Sequence, residues 1–449
     1  MKQSELYPAP VANANRIQLI DSIRGVALLG ILLMNIPGFG LHWSEFIKLL
    51  KGPHDLNYQV FKSVMVIPEG SMRGLFSMLF GAGMLLFMKN KKEQGSATPV
   101  AELYFRRLLW LMLFGLLNAY VLLWNGDILF FYAFAGMLLF AFRDLRPYQL
   151  IIVALVCMAI GMVKAQDSFR QLKKNRNGYL AAQRADNEKR ARTAEENSAY
   201  AAWEGIQQSA YVVDTAAARE EIGKMRGSYR TVFGHLITVN GIAMPNFLYN
   251  NNWDPLTMMF MGMALFGLGF FTNRCSTQTY WLCVLVGYGL GYLISNFHFH
   301  AVYGNGLNIA GMVDRFRVSP VLLYDIKRVL ISVGHASLIV LIYRAGLLKW
   351  LMKALGKVGQ MAFTNYLMQS ILCSVYFTGV GLGKFNYLEF HQLYYVVLVI
   401  WVFQLLMSTI WLYYFRFGPF EWLWRSLTYW NIQPMVRRRR QIFEEVVTV

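Results

Sequence analysis

The chain has 449 residues, 56% of them hydrophobic and 15% aromatic, with only 15% charged, against about 25% charged in an ordinary soluble domain. Apolar stretches close to the ~20 residues needed to cross a bilayer recur along it, which excludes a large soluble protein. A net charge of +18 would suit nucleic acid, but the placement of the basic residues assigns it to membrane topology instead.

Residues 1–15 are polar and are followed by Arg16. The first apolar stretch holds Asp21 and Arg24 and lacks a small-residue cleavage site, so it reads as a retained helix and not a signal peptide. Spans are predicted at about 20–40, 70–88, 103–124, 126–142 and 148–166, then at 255–272, 278–296, 326–344, 359–380 and 394–415. Asn125-Gly126-Asp127 is a tight turn by composition and joins the third span to the fourth. Residues 167–232 break the pattern, being polar, Ala-rich and mixed in charge. The acid-first pairs Glu188 to Arg192 and Glu220 to Lys224 predict helix there. One or two helices are expected to cap the outer face, with Trp203, Tyr200 and Tyr211 packing the cap down or meeting a partner. The glycines of 262–269 and 287–291 predict close helix packing.

The expected fold class is all-α, a polytopic transmembrane bundle of about ten spans with a small helical extracytoplasmic insertion. Its parts are a five-span N-terminal half (1–166), the insertion (167–232), a five-span C-terminal half (233–416) and a basic cytoplasmic tail (417–449). With the N-terminus inside, short inner segments hold 21 Lys and Arg and short outer ones 9, so both termini are predicted to be cytoplasmic. Basicity then reports topology and contact with anionic membrane lipid, and nucleic acid is not an expected partner. Cys157, Cys275, Cys283 and Cys373 are not clustered, so neither a disulfide nor a metal is expected.

Ionisable and amide side chains within spans are costly and mark sites or helix contacts. Asp21 and Arg24 share one helix face. Asn35 and Asn118 lie toward the outer ends of the first and third spans, and His335 lies within the eighth. Asn365 and Gln369, four apart on the ninth, face the same way. Six histidines (His42, His54, His235, His298, His300 and His391) fall in outer segments, where proton transfer would suit an imidazole.

Six stretches, in order over nearly the whole chain, carry a family resemblance. They are Asp21-Ser-Ile-Arg24-Gly25 running to Met34-Asn35-Ile36; Leu75 to Gly83; Arg106-Arg107-Leu108 with Gly126-Asp127-Ile128-Leu129; Leu265-Phe266-Gly267; Gly359 to Ser370; and Phe417-Gly418-Pro419-Phe-Glu421-Trp422 running to Tyr429. Together they resemble the YeiB-like family of bacterial membrane proteins, which places the chain in the bacterial cytoplasmic membrane. The first helix is also similar to that of the heparan-glucosaminide acetyltransferase-type membrane acyltransferases, in its Arg…Asp-x-x-Arg-Gly opening that runs to an Asn. That resemblance implies acyl transfer from cytoplasmic acyl-CoA, as co-substrate, to an extracytoplasmic acceptor, an envelope glycan or a lipid-linked group. It implies a histidine in the first outer loop, where His54, and less well His42, stand. YeiB-like proteins usually carry histidine where this chain has Asn118, and an amide cannot act as a base.

In this reading Arg24, Arg106 and Arg107 meet the donor's phosphates, with Asp21, Arg73, Asp127 and Asn365 also in contact with substrate. Asn35, Asn118 and Gln369 orient the reacting groups, and His54 or His335 moves the proton. The alternatives are a transporter of a small solute or lipid and a non-catalytic envelope assembly protein.

Overall fold

Ten predicted spans become ten helices. The computed structural model describes residues 18–93, 99–211, 215–304 and 306–437; expectations resting on Arg16 and on the basic run 438–440 lie outside them. In chain order the helices are α1 (Gln18–Gly40), α2 (Trp43–Lys51), α3 (Leu56–Val66), α4 (Ser71–Glu93), α5 (Val100–Tyr120), α6 (Leu129–Leu139) and α7 (Pro147–Asn187). Then come α8 (Ala194–Tyr211), α9 (Thr215–Met225), α10 (Tyr229–Asn251), α11 (Trp253–Gly267), α12 (Thr277–Val302) and α13 (Ile309–Arg315). The last are α14 (Tyr324–Arg344), α15 (Lys349–Gln360), α16 (Ala362–Phe377), α17 (Leu393–Tyr414) and α18 (Pro419–Tyr429). Six stretches are long and apolar enough to cross a membrane alone: α1, α3 running into α4, α7, α12, α14 and α17. The other four spans are α5, interrupted by Glu102, Arg106 and Arg107, and the shorter α6, α11 and α16. A short helix is tolerated where its ends meet protein rather than lipid, and residues 255–260 of α11 are all buried.

The end of the bundle where α1 begins is called proximal, and the end where α1 stops is distal. The Gly40 carbonyl at the distal end accepts a hydrogen bond from the Asn386 amide at 2.7 Å. At the proximal end Glu421 on α18 caps the start of α16. Its carboxylate accepts the amides of Phe363 at 2.7 Å and Thr364 at 3.0 Å, which satisfies donors that a helix start leaves open.

Gly81 on α4 and Gly262 on α11 lock those helices reciprocally. A Cβ on Gly81 would strike the Met259 carbonyl, and one on Gly262 the Met78 carbonyl. Gly287 does the same for α12 against Leu330 and Gly334 on α14, as expected of the glycine-rich stretches. Gly262→Val should therefore lower stability by about 3 kcal/mol or more, the upper range for overpacking, because backbone must move. Gly83→Ala, whose Cβ would meet nothing within 4 Å, should leave the thermal midpoint of the detergent-solubilised protein unchanged.

The insertion departs from expectation in three ways. The fifth span does not stop at the membrane: α7 runs on as one helix of 41 residues. Arg192 does not pair with Glu188. The chain turns there through Lys189 in a left-handed conformation (φ 54°), and Arg192 bonds Asp186 instead. Arg190 and the Thr193 amide hold the Glu196 carboxyl down at about 2, which staples the turn to α8. Lys224 pairs with Glu220 at 2.6 Å as predicted. Trp203 is fully buried with Phe169 and Val313, and Tyr200 stacks on Tyr179 at 5.0 Å, so these aromatics pack the cap down. Finally, α10 lies across the distal end. Tyr229 bonds the Val121 carbonyl, Asn240 the Ala119 carbonyl, Phe247 meets Phe131, and the Tyr249 carbonyl accepts Lys164. Its His235, Asn240, Asn246, Pro245 and Asn250 suit an interface better than a hydrocarbon core.

Candidate functional site

Polar side chains of the bundle gather at its two ends. Proximally, Arg24 bonds Asp21 at 2.8 Å, one turn along α1. Arg106 donates to the Thr428 carbonyl at 3.2 Å, pairs with Glu102 and lies 4.5 Å from the Trp430 ring. Arg107 lies between two aromatic faces, Trp424 at 4.2 Å and Phe87 at 5.3 Å, while Trp424 Nε1 donates to the Arg107 carbonyl. Among the described residues no carboxylate lies within ion-pair distance of Arg107. Asp21, Arg24, Arg106 and Arg107 thus lie at the proximal end of the bundle, on α1 and α5, with α4 and α18 packed against Arg106 and Arg107.

Arg107 and Asn118 are eleven residues apart on α5, three helical turns and about 16 Å, and so share one face of it. Asn118 opens the distal site. Its Nδ2 donates to Asp127 Oδ1 at 2.8 Å. Asp127, in the turn before α6, also accepts the Phe130 amide at 3.0 Å and the Tyr366 hydroxyl at 3.5 Å. Tyr366 comes from α16 and accepts the Ile128 amide at 3.2 Å. Trp124 closes the group, its ring stacked on Phe39 of α1 at 3.7 Å. Asn35 lies one turn before Phe39 on the same face of α1. Two buried atoms of this group have no partner within hydrogen-bond distance and angle: the acceptor Asn118 Oδ1 and the donor Trp124 Nε1, whose indole stands beside the Tyr366 hydroxyl. The Asp127 bond fixes which end of the Asn118 amide is left over.

A buried ionic cluster adjoins it. Lys327 and Arg328, from the first turn of α14, are each 1% exposed. Lys327 Nζ donates to Glu69 Oε2 at 2.8 Å, and Tyr324 to Glu69 Oε1 at 2.6 Å. Arg328 pairs with Asp254 from the start of α11, lies 3.9 Å from Asp325, and donates to the Gly70 carbonyl at 3.0 Å. Arg73 shares Asp254 at 2.9 Å. Gly70 at φ 72° makes the turn that presents Glu69, and a side chain there would meet Arg328. Tyr132, 2.5 Å from Ser77, lies within electrostatic range of Arg73, Asp254 and Arg328 on one side and of Tyr366 on the other. Tyr132 also donates to the Arg73 carbonyl at 3.3 Å, which ties α6 to the cluster.

The structure thus gathers Asp21, Arg24, Arg106 and Arg107 at one end, and Asn118, Asp127 and Arg73 at the other, with Asn35 one turn along α1 from the Phe39 that stacks on Trp124. It separates the rest. His54 is exposed in the loop before α3, stacked on Tyr58 at 4.0 Å. His335 bonds Tyr288 through Nδ1 at 2.9 Å and Ser71 through Nε2 at 3.3 Å. Asn365 and Gln369 do face one way, toward α17: Asn365 bonds Ser408 at 2.9 Å, and Gln369 donates to Gln404 at 3.1 Å. They act as contacts between helices, although Asn365 Oδ1 and Gln369 Oε1 keep no donor. Lys327 and Arg328, at the start of the predicted span 326–344, are buried and paired, and they are not among the predicted site residues. Asp325 and Arg328 repeat the three-residue spacing of Asp21 and Arg24, and that signal could have found them.

Together these features define a multi-pass α-helical membrane protein with buried polar groups at both ends of its bundle. Residues 265–431 match a family model described as "Protein of unknown function (DUF418)". The chain is 26% identical to "Uncharacterized protein YxaH" of Bacillus subtilis (strain 168), over 96% of this chain and 98% of that one. It is also 26% identical to "Uncharacterized protein YeiB" of Escherichia coli (strain K12), over 91% and 95%. The chain is thus similar to YeiB along nearly its whole length, in line with the resemblance its motifs carry. No solved structure matches it.

Proposed function

We propose that the protein is a membrane acyltransferase that takes an acyl group from acyl-CoA at its proximal end and delivers it to an acceptor at its distal end. The observation that carries this reading is the unpaired couple beside Asp127. A buried polar atom without a partner costs about 1–3 kcal/mol. Asn118 Oδ1 lacks a donor and Trp124 Nε1 lacks an acceptor. A nucleophilic hydroxyl or amine supplies the first, and a thioester carbonyl supplies the second.

Asp127 would take the acceptor's proton as its oxygen or nitrogen bonds to the acyl carbon. Trp124 Nε1 would meet the negative charge that forms on the carbonyl oxygen, while the Tyr366 hydroxyl, whose proton goes to Asp127, steadies that carboxylate. The carbon–sulfur bond then breaks, and the thiolate leaves with the proton from Asp127. The proximal guanidiniums of Arg24, Arg106 and Arg107 suit the phosphates of the donor. The three turns of α5 between Arg107 and Asn118 give a length that a pantetheine arm can cover. The excess of basic residues at the proximal end supports a cytoplasmic placement of that end, in a bacterial cytoplasmic membrane. His54, exposed and apart from this group, has no part in the mechanism.

The purified protein given acetyl-CoA and a mixed glycan and lipid acceptor pool should release free thiol and form labelled acyl product. Thiol release that is unchanged by the protein would end this reading. The ionic cluster of Arg328, Asp254 and Glu69 favours a second reading, solute transport, because buried charges also line ion and proton paths. Solute flux in proteoliposomes with no covalent product would select it.

A further inference from the structure

Distal to the bundle core, on the far side of α1 from Asn118, a groove of about 230 Å³ opens between α1, α3 and α17. Its walls are Leu33, Val60, Val397, Leu398 and Trp401, and its rim holds His391. Leu398 and Tyr395 beside it are mostly exposed, so the groove opens sideways to the hydrocarbon of a surrounding bilayer. Hydrocarbon is the medium that fills such a cleft.

The rim is acidic and its hydrogen bonds are determined. Asn57 Nδ2 donates to Glu389 Oε2 at 3.1 Å and to Asp55 Oδ2 at 3.3 Å. Those two carboxylates fix the amide's nitrogen, so Asn57 Oδ1 faces His391. There it accepts the His391 backbone amide at 3.0 Å and the ring Nδ1 at 2.7 Å. A ring proton therefore sits on Nδ1, which also lies 3.4 Å from Glu389 Oε2, and Nε2 has no partner among the described residues. Lys62 lies elsewhere, 5.9 Å over Phe299. Two carboxylates and an imidazole edge thus gather around Asn57 beside an apolar slot.

We propose that this groove binds a phospholipid of the distal leaflet by one acyl chain, and that its rim selects a primary-ammonium headgroup such as ethanolamine. An ammonium supplies three donors, which match His391 Nε2, Glu389 and Asp55. An anionic glycerol headgroup would meet like charge there. This site is independent of the acyl-transfer reading, since it lies on the opposite face of α1 and uses none of the same residues.

The test is native mass spectrometry of the purified protein in detergent with equal added phosphatidylethanolamine and phosphatidylglycerol. The wild type should retain the ethanolamine lipid about tenfold better, the worth of one charge-assisted hydrogen bond. Val60→Trp, which fills the groove, should lose that bound lipid. Glu389→Lys, at an exposed position, should fold normally and reverse the preference. Equal retention of both lipids by the wild type would overturn the proposal, as would undiminished ethanolamine-lipid retention in Val60→Trp or an unchanged preference in Glu389→Lys.

Discussion

Arg328→Ala is expected to destabilise the protein by about 3–5 kcal/mol, the cost of stranding a buried charge without its partner. Arg328 is the centre of the distal cluster. It holds Asp254, approaches Asp325 and bonds the Gly70 carbonyl. Its removal leaves Asp254 dependent on Arg73 alone and frees the turn that presents Glu69. A shape-matched pair change, Arg328→Met with Asp254→Leu, should cost less than the two single changes added together, because the Arg328–Asp254 pair is removed whole, although Arg73 then loses Asp254 and Asp325 loses Arg328. Thermal unfolding of the three variants in one detergent measures the difference. A midpoint for Arg328→Ala equal to that of the wild type would mean that water reaches the cluster and that it is not buried.

The second large effect concerns chemistry and not stability. Asp127→Asn keeps the shape and one acceptor oxygen, which can serve Asn118 Nδ2 or the Phe130 amide but not both, since these bond different oxygens at 2.8 Å and 3.0 Å. The change therefore loses one buried hydrogen bond, about 1–3 kcal/mol. The fold should survive that loss. The amide cannot take a proton, and loss of a general base typically costs about 10²–10⁴ in rate. Acyl transfer by Asp127→Asn should fall by that factor, with donor binding unchanged, since Arg24, Arg106 and Arg107 are at the other end of the bundle. Tyr366→Phe should give a smaller loss, because Asp127 and Trp124 Nε1 both remain. Wild-type turnover in Asp127→Asn would remove Asp127 from the mechanism.

The spans were legible because hydrocarbon imposes a length and an apolarity that a sequence must display. The same rule misled at helix ends. Lys327 and Arg328, in the first turn of the span 326–344, count by charge toward the outer side, although the structure buries both. Their partners, Glu69 and Asp254, lie about 258 and 74 residues away along the chain, and no local pattern announces a contact of that range. Pairs within one helix were legible when the helix continued through both members. Asp21 and Arg24 met as spacing predicts, while Glu188 and Arg192 did not, because the helix ends between them. Asn365 and Gln369 were correctly placed on one face, but the fact that Gln404 and Ser408 wait opposite is a property of α17's rotation, which periodicity alone does not give. Asn118 and Asp127 were both singled out, and the tight turn at Asn125-Gly126 is what brings them together. The unpaired Trp124 Nε1 had no signal in the sequence, since an indole near a helix end reads as an interface anchor.

A bundle that takes its donor at one end and acylates at the other must show sidedness. The decisive measurement uses proteoliposomes of defined protein orientation, with labelled acetyl-CoA supplied on the face bearing the termini and acceptor confined to the opposite face. Labelled product should accumulate on the acceptor side, and should vanish when the same donor is supplied only there. Product formed equally from donor on either face, or only where donor and acceptor share a compartment, would contradict transfer across the membrane.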